Sequence, residues 1–69
     1  MLNYLFYDND TGESFFVQLE NDSTVEDAWE VVREDIYGNA AWEDKDYNDI
    51  EYIDYYTDEE AEMMGYDTY

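Results

Sequence analysis

The chain opens on Leu2-Asn3-Tyr4-Leu5-Phe6-Tyr7, an apolar and aromatic run of the kind that forms strands. Asp8-Asn9-Asp10-Thr11-Gly12 follows, a cluster of turn formers in which Gly12 can take a positive φ. From Ser14 to Leu19 the pattern alternates, with Phe15, Val17 and Leu19 on one face and Ser14, Phe16 and Gln18 on the other. Two such runs joined by a short glycine-containing loop predict a β-hairpin.

Asn21-Asp22-Ser23 breaks the alternation, and the period changes. Val25, Ala28, Trp29, Val32 and Ile36 fall at i, i+3, i+4, i+7 and i+11, the apolar stripe of a helix running to about Tyr37. Ser23 with Glu26 has capping-box spacing, and Thr24 with Asp27 repeats it in a weaker form. Gly38 stands where a left-handed C-cap is expected. Glu26, Asp27, Glu30, Glu34 and Asp35 lie off the stripe, so the outer side of this helix is almost purely acidic.

Ala40, Ala41 and Trp42 fit either the start of a strand or a packed loop, and Glu43 to Asp49 reads as an exposed acidic connection. Ile50 to Tyr56 has the composition of a strand. Thr57 with Glu60 is another capping box, opening a short helical turn that runs through Met64 and closes at Gly65. Tyr66 to Tyr69 can pack back or fray. The sum is a single acidic α+β domain over residues 1–69. A small antiparallel sheet, the N-terminal hairpin plus a third strand, packs against one amphipathic helix, with a short helix at the C-terminus.

Charge changes this picture. Asp and Glu number 21 against Arg33 and Lys45, a formal net charge of −19. A small domain ordinarily carries a magnitude of roughly 2–8, and self-repulsion opposes the compact state. High charge with low hydrophobicity is the signature of disorder, but 45% of this chain is hydrophobic and 20% aromatic, so a folded domain is expected. The chain has no Cys and no His, which excludes disulfides and zinc sites of the Cys/His type. It also leaves no thiol nucleophile and no imidazole for acid–base work, so neither an enzyme nor a cofactor is expected. Asp8-Asn9-Asp10-Thr11-Gly12-Glu13 resembles the start of an EF-hand loop, but Gly12 arrives one position early and Leu19 stands where the closing Glu belongs. A hairpin turn is the better reading, and a carboxylate cation site is the lesser alternative. No basic leader or membrane span is visible, which points to a cytoplasmic protein.

The acids are spread along the chain and are densest from Glu43 to Glu62. Duplex DNA carries about one negative charge per 1.7 Å of axis, and proteins grip it with Lys and Arg. A folded domain with carboxylates at similar density competes for the same basic groove and gains the same electrostatic steering. The expected contact surface is Glu43, Asp44, Asp46, Asp49, Glu51, Asp54, Asp58, Glu59, Glu60 and Glu62, joined by Glu30 and Glu34 on the helix. Tyr47 and Tyr52 are interleaved with these acids and suit stacking on Arg.

Small size, extreme acidity, absence of Cys, an α+β pattern and exposed Asp and Glu with Tyr extend over the whole chain. In these features it resembles the small acidic inhibitors of bacteriophages and mobile elements, DNA-mimic proteins such as anti-restriction and anti-CRISPR proteins. The resemblance lies in class features and not in a motif. It implies a basic nucleic-acid-binding protein as partner, with a Cas effector the leading target and a restriction enzyme, repair enzyme or RNA polymerase as others. It implies no direct nucleic-acid or membrane binding, a monomer or homodimer, and action in the host cytoplasm. An acidic interaction module, its charge serving solubility, is the alternative.

Overall fold

The computed structural model describes residues 1–38 and 49–69. Strands β1 (Leu2–Asp8) and β2 (Glu13–Leu19) form the expected hairpin, in antiparallel register from Leu2 opposite Leu19 to Asp8 opposite Glu13. Its loop closes through Gly12, at φ 76°, whose N–H donates to the Asp8 carbonyl at 2.8 Å. The Asp8 carboxylate turns inward and accepts from the N–H groups of Asp10 at 2.9 Å and Thr11 at 3.3 Å. It thus serves as a turn brace within its own loop.

Tyr4, Leu5 and Phe6 are consecutive and all buried. Successive strand side chains point to opposite faces, so β1 is covered on both. One face carries the larger core: Tyr4, Phe6, Phe15, Val17 and Ile50 meet Ala28 and Val32 from the helix. The other carries Leu5 and Phe16 beneath Ala61.

Helix α1 (Val25–Val31) lies on the first face. Thr24, not Ser23, is its N-cap: the Thr24 hydroxyl accepts from the Asp27 N–H at 3.3 Å, and Asp27 accepts from the Thr24 N–H at 2.9 Å. Ser23 is committed elsewhere, its hydroxyl donating to the Glu20 carbonyl at 2.6 Å while its carbonyl accepts from the Tyr4 hydroxyl at 2.9 Å. The helix continues to Tyr37, but Val32–Tyr37 is wound as a π-helix. Val31, outside the predicted stripe, packs against the core together with Ile36 from this wider i→i+5 winding. Gly38 ends it with φ 79° and ψ 156°, positive φ but not the left-handed helical cap expected.

Strand β3 (Ile50–Tyr56) pairs antiparallel with the other edge of β1, and the register shifts between Leu5 and Phe6. Phe6 pairs with Tyr52 and Leu5 with Asp54, leaving Ile53 as the extra residue of a bulge. The bulge resets the alternation. The Tyr52 and Tyr55 rings both lie tilted near Tyr4 on the helix α1 face, while Asp54 and Tyr56 turn to the opposite one.

Thr57 then caps helix α2 (Asp58–Met64), closed by Gly65 in the left-handed region, as the sequence predicts. The last residues do not fray. Asp67–Thr68 forms β4, parallel to β2 against Phe15 and Phe16, and the sheet order is β3-β1-β2-β4. The sheet is therefore mixed and four-stranded, where a three-stranded antiparallel one was expected. Geometry accounts for this: β3 and β4 sit three strand spacings apart, about 14 Å. The seven residues of α2 rise about 10 Å, and the caps supply the rest. The α2 crossover thus roofs β1 and β2, which is where Leu5 and Phe16 need cover. No helix among the described residues is long and apolar enough to cross a membrane.

Phe16 is fully buried between the sheet and this roof. Phe16→Ala is expected to cost about 3–5 kcal/mol, most of the stability of a domain this small, read as a loss of the cooperative urea transition. Thr24→Ala removes one cap and is expected to cost about 1 kcal/mol, read as a lower urea midpoint with an unchanged slope.

Candidate functional site

Every described Asp and Glu is exposed except Asp8, which is buried, and Asp49, which is half-buried. Arg33 is the one cationic side chain among the described residues, and it approaches its neighbour Glu34 at 3.8 Å. The surface is therefore acidic on both sides of the sheet, with little internal neutralisation.

The sheet divides the expected contact residues. Glu30 and Glu34 belong to the helical layer on the larger core. Glu51 and Asp54, paired with Tyr7 and Leu5, share the opposite face with α2, which carries Asp58, Glu59, Glu60 and Glu62. Glu43, Asp44, Asp46 and Tyr47 lie outside the described residues. The eight acids so divided form two surfaces on opposite sides of the sheet.

Within the second surface the carboxylates have different duties. Asp58 is a brace: its Oδ1 accepts from Asn3 Nδ2 at 2.8 Å and Gln18 Nε2 at 3.1 Å, and its Oδ2 meets the Met1 amino group at 3.2 Å. It pins the start of α2 to β1 and β2. Glu60 closes the cap, accepting from the Thr57 hydroxyl at 3.0 Å. Asp54 accepts from the Tyr55 N–H at 2.8 Å beside the bulge. Asp49 lends its carbonyl to the Asn9 N–H, tying the hairpin loop to the start of β3. Glu51, Glu59 and Glu62 are exposed with no such engagement, and are the acids here most available to a partner.

Tyr52 is only partly exposed. Its half-buried ring packs 5.6 Å from Phe6 and 6.2 Å from Tyr4. Burial, with the nearby Asp54 carboxylate second, raises its hydroxyl above the ordinary tyrosine value. It belongs to the core because Phe6 is its cross-strand partner.

A cleft of about 250 Å³ opens at the β2–β4 edge, lined by Glu13, Phe15, Tyr66, Asp67 and Tyr69, with no signal for it in the sequence pattern. These residues converge only because β4 adds to the sheet. Nearby, Met63 is 88% exposed, and Met64, Tyr66 and Tyr69 are exposed as well. No three described acids stand close enough together to hold a metal ion.

The donors on Asp58, Asn3 first, hold its carboxyl below the ordinary 3.8. Its folded-state pKa is depressed, so its contribution to stability is present above pH 3.8 and is lost as pH falls through the folded value. Asp58→Asn is expected to melt below the parent at pH 7. The gap between the two melting temperatures should close on acidification below 3.8, followed by circular dichroism.

No protein-family model matches the chain, and no curated protein or solved structure is significantly similar to it, so the site is read from its own residues.

Proposed function

We propose that the protein is an inhibitor that occupies the basic nucleic-acid-binding surface of a target protein by presenting charge as DNA does. The observation that carries this reading is the outward display of nearly every described carboxylate on a folded scaffold with one described cationic side chain. Magnitudes agree with it. The fold is 34 Å along its longest axis, the rise of one turn of duplex. At about one charge per 1.7 Å, such a turn carries about 20 negative charges, against a net −19 for this chain. The role calls for acids converging on one contiguous surface, and the described acids lie on both sides of the sheet, so a single contact face engages only part of this charge.

A Cas effector is the leading target, because its channels for guide RNA and target DNA are deep and basic; such an inhibitor works in the host cytoplasm. A second reading, an acidic protein-interaction module, is favoured by the apolar exposure of Met63, Met64, Tyr66 and Tyr69.

Displacement of labelled duplex DNA from a guide-loaded Cas effector tests the proposal. The chain should compete, and its apparent affinity should fall by about 10³-fold or more between 50 and 200 mM salt. Displacement indifferent to salt, or none by a folded chain, would overturn it. Glu51→Lys and Glu62→Lys together should weaken competition while leaving the circular dichroism spectrum unchanged, since these side chains are exposed and make none of the bracing hydrogen bonds above.

A further inference from the structure

We propose that the cleft at the β2–β4 edge is a seat for an arginine side chain of the protein partner, held between the carboxylates of Glu13 and Asp67 and against the ring of Tyr69. This rests on the reading of the chain as a ligand of a basic protein surface, and it names where that ligand is most selective.

The cleft exists because β4 is short. It pairs with Phe15 and Phe16 only, so the start of β2 at Glu13 and Ser14 has no strand neighbour on that side among the described residues. The gap is about 250 Å³. Pockets for drug-sized molecules run about 300–1,000 Å³, so this one suits a single side chain. Both charged residues that line it are acids and three of its walls are aromatic. That combination favours a cation, and a planar one in particular. A guanidinium can bond a carboxylate through its fork while its face lies on a ring; an ammonium is a compact, strongly hydrated point charge.

The walls are fixed before anything binds. The Tyr69 ring stands edge-on to Phe15 at 5.7 Å, and the Tyr66 ring lies 5.8 Å from Phe16. The Tyr69 N–H donates to the Phe16 carbonyl and its carbonyl accepts from the Gln18 N–H, each at 2.8 Å. Phe15 and Phe16 face opposite sides of the sheet, so Tyr69 is the ring on the side of Glu13 and Asp67. A ring already held in place loses little side-chain freedom on binding, and this one remains exposed enough to be reached. Glu13 and Asp67 are exposed acids in a molecule with few cations of its own to fill the cleft.

Titrating hexa-arginine and hexa-lysine peptides into the protein at low salt tests the assignment. Three proteins are compared: the parent, the double variant Glu13→Gln/Asp67→Gln, and the double variant Glu26→Gln/Glu30→Gln, which removes the same charge from α1. Hexa-arginine should bind the parent about two- to fivefold more tightly than hexa-lysine and should shift the ring-proton resonances of Tyr69 more than those of Tyr66. That preference should vanish in Glu13→Gln/Asp67→Gln and survive in Glu26→Gln/Glu30→Gln. If the two double variants behave alike, or the Tyr69 ring does not respond, the cleft is no seat and only general charge attraction remains. If neither peptide binds the parent, the inhibitor reading fails with it.

Discussion

Burial of Tyr4, Leu5 and Phe6 in succession is the constraint on which the rest of this fold depends. A strand with side chains buried on both faces cannot leave either one to water, and each needs its own layer. It also lies between two strands, with β2 on one edge and β3 on the other. Helix α1 covers the Tyr4 and Phe6 side, and α2 covers Leu5. Asn3 is buried within the same strand, and its side-chain amide reaches the Tyr56 carbonyl at 3.3 Å and the Asp58 carboxylate at 2.8 Å. One strand thus places both helices and, through Asp58, orients the second.

That arrangement leaves the carboxylates almost no inward options. A buried charge needs a partner, and cations are scarce in this chain. The buried Asp8 is satisfied by the N–H groups of its own turn, and Asp58 by amides and an amino terminus at the surface. No buried side-chain nitrogen or oxygen among the described residues lacks a hydrogen-bond partner. The remaining acids are turned outward, and their mutual repulsion is opposed by a dense aromatic interior in which Phe6 contacts Phe15, Trp29 and Tyr52.

Most of this was legible in the chain where a single element carried its own signal. The hairpin follows from alternation and a glycine turn, the α1 stripe from its period, β3 from its composition and α2 from its capping box. What escaped depends on pairing between distant segments. Phe16 reads as an outward residue of β2 until α2 is seen to roof it. The bulge at Ile53, which brings Tyr52 and Tyr55 to one face, answers to the register of β1 and leaves no mark in Ile50–Tyr56 itself. Ser23 has better capping-box chemistry than Thr24, but the Glu20 turn and Tyr4 claim it. The same holds for the acids. Their exposure follows from composition, whereas the bracing duty of Asp58, the split across the sheet and the cleft of Glu13 and Asp67 require the β3–α2–β4 crossover.

The two layers are unequal. Helix α2 buries one residue of its own, Ala61, and its hold on the sheet rests on the cover it gives Leu5 and Phe16 and on the Asp58 brace. Lifting of the crossover while the rest stays folded would be a cooperative local opening. In that opened form Leu5 and Phe16 would face other copies of the chain, a situation that ordinarily invites aggregation. Here every encounter is between bodies of like charge, so the acidity that suits the surface to a basic partner also keeps a partly opened molecule apart from its neighbours.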